Sequence, residues 1–224
     1  MRLSIVMPVL DEAAGIEAAL RALAPLRARG VEVVVVDGGS RDGTAAMAAA
    51  LADRVLTAPR GRAAQMNAGA AAAQGDALLF LHADTRLPAD ADVLVLDSLG
   101  RRRWGRFDAG FDQNGWLRLV ALLMNLRSRA TGIATGDQAM FMTRAAFDEA
   151  GGFPGIALME DIALSARLKR LGRPACLSAR VTTSSRRWRR HGVWRTIWLM
   201  WQLRLRYFLG ADPARLARAY GYDP

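Results

Sequence analysis

Val33-Val-Val-Val36-Asp37-Gly38-Gly39-Ser40-Arg41-Asp42-Gly43-Thr44 is the stretch that decides the fold of this chain. Four valines end in an acid and a Gly-Gly-Ser turn, and a capped helix follows. A short continuous apolar run bounded by turn residues is the pattern of a strand buried on both faces of a parallel sheet. In open α/β sheets, ligands sit just beyond the carboxyl ends of the strands. Asp37 therefore stands where a nucleotide is expected. The glycines let backbone come close to it, and Thr44 or Asp42 caps the next helix. The same residues also suit a strand-to-helix turn that binds nothing.

Outward from this stretch the chain alternates. Residues 3–7 read as a first strand and Pro8-Val-Leu-Asp11-Glu12 as a loop. Ile16, Leu20 and Leu23 share one helical face, with Pro25 expected to end that helix. Strands are expected at 31–36, 54–57 and 77–81, and helices at 42–51 and 61–73. Strand and helix in turn argue for βαβ units, hence an α/β fold with a mostly parallel central sheet flanked by helices. Beyond it, residues 101–111 suggest an edge strand, and 116–126 an apolar helix. Thr143 caps a helix that stops near Gly151-Gly152. A further helix spans 161–171, with Gly172 as its stop.

With 224 residues, 52% of them hydrophobic and 23% charged, the chain can bury one full core. A single Cys176 excludes an intrachain disulfide and suits a reducing cytoplasm. Asp11-Glu12 falls where a secretory signal would have to stay apolar. The net charge of +10 is concentrated: residues 180–224 carry ten Arg against Asp212 and Asp223, leaving +2 for the other 179 residues. A uniformly basic nucleic-acid binder is thereby disfavoured. Phosphate ligands or an anionic membrane surface suit a local basic tail better.

Five polar clusters fall at the ends of expected elements: Asp11-Glu12, Asp37, His82-Ala83-Asp84, Asp137-Gln138 and Glu160-Asp161. Together they suggest a shared, carboxylate-lined cleft. In Leu78-Leu-Phe-Leu81-His82-Ala83-Asp84 a buried strand delivers an imidazole and a carboxylate two residues apart, so both can face the same side. A hard divalent cation on phosphate oxygens needs only one or two carboxylates. Asp84 suits that task, and His82 could bind Mn²⁺ or a ribose.

Pro8-Val-Leu-Asp11-Glu12, Asp37-Gly-Gly-Ser40-x-Asp42-Gly-Thr44, Gly61-Arg62-Ala63-x-Gln65-Met66-Asn67-x-Gly69-Ala70, Leu81-His82-Ala83-Asp84-Thr85 and Glu160-Asp161 occur in this order. In that order they resemble a family 2 glycosyltransferase of the GT-A fold. Among its members the chain is most similar to the bacterial radical-SAM/selenodomain-associated, arsenosugar-biosynthesis type. The resemblance runs over residues 1–188, leaving 189–224 as a basic-aromatic helical tail. It implies metal-dependent, inverting transfer from a nucleotide-diphospho-sugar to the hydroxyl of a small or lipid-linked acceptor. It implies donor contacts at Pro8, Asp11, Glu12, Asp37, Gly38, Arg62, Asn67 and Asp84. Asp84, with His82 beside it, would hold Mg²⁺ or Mn²⁺, and Asp161 would be the general base. Asp137, Gln138, Glu160, Arg187 and Trp188 would face acceptor or phosphate.

Three departures stand out. His82 replaces the first acid of the family's Asp-x-Asp. Asp11-Glu12 stands where Asn-Glu is commoner. Ser184-Ser-Arg-Arg187-Trp188 matches the Gln-x-x-Arg-Trp motif of processive members only at Arg187 and Trp188, which disfavours polymer synthesis. The alternatives are nucleotidyl transfer, which would want a glycine-rich basic loop after the first strand, and a non-catalytic nucleotide-sugar-binding protein. In the tail, Trp194, Trp198, Trp201, Leu205 and Phe208 share a helical face over 193–209, with too many arginines to span a bilayer. That helix suits packing on the domain or on a dimer mate, or else an interfacial position on the inner face of the membrane.

Overall fold

The computed structural model describes residues 1–112 and 115–222; the side chains of Arg187, Arg190 and His191 lie outside the described set. The valine run becomes β2 (Glu32–Asp37), at the centre of a parallel unit with β1 (Leu3–Val9), β3 (Arg54–Thr57) and β4 (Ala77–Phe80) in the order β3-β2-β1-β4. Every residue of β1, β2 and β4 is buried. Alternate side chains feed two cores. Ile5, Met7, Val33, Val35 and Leu79 point to one face, while Val6, Val34, Val36, Leu78 and Phe80 point to the other.

The crossovers are α1 (Ala13–Ala28), α2 (Thr44–Ala49) and α3 (Arg62–Ala72). α3 lies so close to the sheet that a β-carbon on Gly69 would overlap Val6 and come within 2.8 Å of Val36. Pro25 does not end α1, contrary to expectation; the helix runs three residues further. Leu26 is buried in the core, and Arg27 and Arg29 just beyond it are tied to Asp53 and Asp92. These contacts offset the hydrogen bond the proline cannot donate.

The second half is mixed. It comprises β5 (Thr85–Arg86), α4 (Ala91–Leu99), β6 (Trp104–Phe111), α5 (Trp116–Thr131), β7 (Phe141–Thr143), α6 (Arg144–Glu149), α7 (Glu160–Leu168), β8 (Ala175–Thr183), α8 (Arg186–His191), α9 (Val193–Phe208) and α10 (Pro213–Tyr220). The sheet continues β4-β7-β6-β8-β5, parallel between β6 and β8 and antiparallel at the other three joints. Thr143 caps α6 as expected, its hydroxyl accepting from Ala146 N.

β6 is an interior strand, not the edge strand expected. Its charges misled because they are paired inside: fully buried Arg106 binds Asp108, which also meets Arg129 at 2.7 Å. Past Gly105 the strand has no β7 partner. There the side-chain amide of Asn125 on α5 takes the place of a neighbouring strand. Its Oδ1 accepts from Ala109 N and its Nδ2 donates to Ala109 O, both at 2.9 Å.

Candidate active site

A cleft of about 460 Å³ opens at the carboxyl ends of β1 and β4. Its floor comes from the parallel half: Pro8 near the end of β1 and Glu12 after it, Arg62 and Gln65 on α3, and His82 and Asp84 after β4. The opposite wall comes from the far end of the chain: Ser184, Arg186 and Trp188 around α8, and Thr196, Met200 and Arg204 on α9. Two links hold the walls together. Arg186 pairs with Glu12 at 3.2 Å, and Asp84 O accepts from Ser184 N at 3.1 Å. Trp188 is fixed edge-on against Phe111, with ring centroids 5.5 Å apart.

β4 stops at Phe80 and delivers His82 and Asp84 just beyond its end. They sit in a turn, closed by Thr85 N donating to His82 O, and both still face the cleft. Asp84 is exposed, and its recorded side-chain hydrogen bond is a 3.4 Å contact from Thr85 Oγ1. His82 Nδ1 lies 3.8 Å from Asp137 Oδ1. Its ring packs against Gly136, where a β-carbon would come within 2.5 Å of Cε1. Desolvation, reinforced by the Arg62 charge, pushes the His82 pKa down and favours the neutral ring.

Asp161 lines a smaller recess that shares Arg62, His82, Asp137 and Arg204 with the cleft. It occupies the first turn of α7, where the helix dipole favours negative charge. Its Oδ2 accepts from Gly136 N at 2.8 Å and its Oδ1 from Ile162 N at 2.7 Å. One bond therefore fixes both Asp161 and the 136–138 turn that carries Asp137. Glu160, buried beside it, is pushed up to about 7 by burial and by the charge of Asp161. Asp137 is pushed up by desolvation, an effect moderated because about half of its side chain still meets cleft water. Arg62 is crowded by protein yet open to the cleft. Desolvation lowers its pKa, but Glu160, Tyr220, Asp137 and Asp161 together raise it further.

Other expected residues are spent on the scaffold. Asp37 does not line the cleft; its carboxylate accepts from Gly39 N, Ser40 N and Ser40 Oγ, holding its own turn. Asp11 accepts from Arg41 N and is likewise off the lining. Asn67 is engaged at both ends by the backbone of Phe153. Gln138 is fully buried, with its amide on Thr135 N and Asn125 Oδ1. Gly38 abuts Gln65 beneath the cleft. The side chain of Arg187 lies outside the described residues.

Gln65, Arg186, Arg204 and Tyr222 line the cleft without having been singled out. Gln65 stands inside the quoted α3 motif, and its Nε2 joins the ends of β1 and β2 by donating to Val9 O and Val36 O, each at 2.8 Å. Tyr222 stacks over Arg62 at 6.0 Å. Arg204 sits near Arg127 of α5, which burial and the Arg204 charge hold down to about 10. Arg204 lines both the cleft and the recess, and with Arg62 it makes this side of the cleft cationic.

Among the described residues no group of three His, Cys, Asp or Glu is arranged to hold a metal on side chains alone. An ion here would therefore share its shell with a ligand. Asp84, an accessible hard oxygen donor with little competing hydrogen bonding, fits a cation that is also held by a diphosphate.

The profile described as "Glycosyl transferase family 2" matches residues 4–149. The undecaprenyl-phosphate 4-deoxy-4-formamido-L-arabinose transferase of Pseudomonas aeruginosa (strain LESB58) is 31% identical over 148 residues, covering 60% of this chain and 44% of that protein. This chain thus spans less than half of the curated relatives it matches. Among solved structures, the mannosyltransferase of Pyrobaculum calidifontis in complex with GDP-Man and Mn²⁺ superposes with a TM-score of 0.70 at 21% identity, over 98% of this chain and 68% of that one. Residues 1–349 of S. aureus TarS with UDP give 0.68 at 19% identity, over 82% and 60%. At these identities the structural likeness is one of fold.

Proposed function

This chain belongs to glycosyl transferase family 2, and from that premise we propose that it moves a sugar from a nucleotide-diphospho-sugar to an acceptor hydroxyl with inversion at the anomeric carbon. One observation carries the reading. Asp84 and Asp161, far apart in sequence, open onto adjoining recesses that share Arg62, His82 and Asp137. The donor's nucleotide lies over Pro8, Glu12 and Gln65, with its diphosphate between Arg62 and Asp84. Asp161 takes a proton from the acceptor hydroxyl as that oxygen attacks the anomeric carbon and the nucleoside diphosphate leaves. Glu160, which holds its proton to about pH 7, keeps a second negative charge away from the base. Asp84, with His82 beside it, would hold Mg²⁺ or Mn²⁺, which would offset charge on the leaving diphosphate.

Arg204 supports an acceptor that is itself anionic, small or lipid-linked. The ordered motifs quoted above support the radical-SAM/selenodomain-associated subgroup, and the single Cys176 supports a cytoplasmic location. A thermal-shift panel of nucleoside diphosphates and nucleotide-sugars, with and without Mn²⁺, tests the donor site. At 100 times its dissociation constant a ligand adds about 2.7 kcal/mol. A shift that needs both partners is expected, and none with any pair would refute the reading. Asp161→Asn should abolish transfer while leaving that shift in place; retention of more than about a tenth of turnover would overturn its role as base.

A further inference from the structure

α5 and α9 are surface helices that turn a row of large apolar side chains to solvent. A surface helix ordinarily turns its apolar stripe to the core. α9 instead buries Thr196 and Leu203 and presents Trp194, Trp198, Trp201, Leu205 and Phe208 outward, each 61–70% exposed. α5 buries Asn125 and Ser128 with Leu117 and Ala121, and turns Leu119, Leu122, Leu123 and Leu126 to solvent. The two faces meet: the rings of exposed Trp116 and Trp194 lie 5.8 Å apart. Contiguous exposed apolar surface of this kind marks an interaction site.

Its rim is cationic. Residues 186–211, which hold α9, carry seven Arg and not one Asp or Glu, and residues 113–136, which hold α5, carry three Arg and no acid. Arg118, Arg195 and Arg206 are exposed on the same two helices. We propose that this face docks the protein on an anionic lipid surface, with α5 and α9 lying in the plane of the interface. Tryptophan and leucine side chains enter the boundary between headgroups and acyl chains, and the arginines meet lipid phosphates. Interfacial helices bind through apolar area plus attraction to anionic lipid, and tryptophan favours that boundary. Charge argues against a second copy as the occupant, because a twofold contact through this face sets one cationic rim against another. No described helix is long and apolar enough to cross a membrane, so the mode is to lie on the bilayer. Val120 and Met124 of α5 and Ile197 and Met200 of α9 also line the cleft, so its mouth adjoins the docked face.

The test is flotation of the full chain with vesicles of phosphatidylcholine, alone or mixed with phosphatidylglycerol, at low and high salt, read together with tryptophan emission. Flotation with the mixed vesicles, a blue shift and weakening by salt are expected. Trp198→Glu and Leu123→Glu, both outside the cleft lining, should each weaken partition by about tenfold or more, since burial of a side chain of that size is worth at least that factor. Their thermal midpoints should match the parent, because both sites are exposed. Protein that stays at the bottom with anionic vesicles at low salt would overturn the proposal. So would variants that float as the parent does, or a dimer that Trp198→Glu splits and that does not float. The assay contains no nucleotide or sugar, so its failure and that of the transferase reading are separable.

Discussion

Gly136→Ala loads one methyl group onto the most crowded joint of the cleft. The new β-carbon would stand 2.5 Å from His82 Cε1 and 2.7 Å from Nε2, whereas ordinary contacts begin at 3.4 Å. The imidazole must therefore retreat by about 0.9 Å. The ring has room to do so, because His82 lines the cleft and keeps 18% of its side chain exposed. Strain is thus relieved at the expense of the site, and the stability loss should be at the lower end of overpacking, about 1 kcal/mol. For a chain of this length that lowers the melting midpoint by about 2–4 °C. Catalysis should suffer far more. Displacing a reacting-site group by about 1 Å can cost ~10²-fold, and the 136–138 turn also positions Asp161 through the Gly136 N–H. Turnover on whichever nucleotide-sugar the thermal-shift panel identifies is the assay, run beside thermal unfolding. Wild-type turnover in a correctly folded variant would refute the reasoning, and so would a collapse in stability with turnover per folded molecule intact.

Asp84→Ala should abolish the gain in nucleoside-diphosphate affinity produced by Mn²⁺; equal affinities with and without the ion in the parent protein would remove Asp84 from that role. Glu160→Gln should change how stability depends on pH. The folded Glu160 carboxyl titrates near 7 against 4.5 in the unfolded chain, so its contribution is intact below 4.5 and lost as pH rises through about 7. The Gln variant should accordingly gain on the wild type across that window and hold its advantage above it, and a midpoint difference independent of pH would contradict the assignment. Asn125→Leu leaves Ala109 N–H and C=O without partners inside the protein, at about 1–3 kcal/mol each. A drop in unfolding free energy below about 1 kcal/mol would mean that the amide does not stand in for a strand.

The parallel half was legible because its signals are local. Four valines, a Gly-Gly-Ser turn and the α3 motif each lie within one element, and all four strands of that half appear where expected. The second half is assembled by pairings over long separations. Thr85 meets Thr183, and β8 follows β6 through a register shift at Phe107 and Asp108 that breaks any simple alternation in its sequence. β8, α4 and α10 accordingly went unread. Periodicity showed which side chains of 193–209 share a face, but not that the face looks outward. An acid or amide at the end of an element has the same appearance whether it serves a ligand, as Asp84 is placed to do, or ties the chain, as Asp37 and Asn67 do. Arg186 and Arg204 lie more than a hundred residues beyond Asp84, and topology alone brings them to it.

That separation has a consequence during synthesis. The floor of the cleft is complete once Asp84 has been made, while the wall carrying Arg204 comes 120 residues later. At about 5–20 residues per second, translation leaves the floor unroofed for roughly 6–24 s. For 64 residues of that interval, from Phe111 to Ala175 and roughly 3–13 s, β6 has been made but still lacks β8 beside it. The nascent chain thus exposes a bare strand edge, with the buried Arg106–Asp108 pair not yet enclosed, for longer than most small domains take to fold. Three of the four exposed tryptophans lie on α9, one of the last helices to emerge. Order of manufacture therefore puts the α9 half of the adhesive surface after the core, when the floor of the cleft already has its own sheet to fold onto.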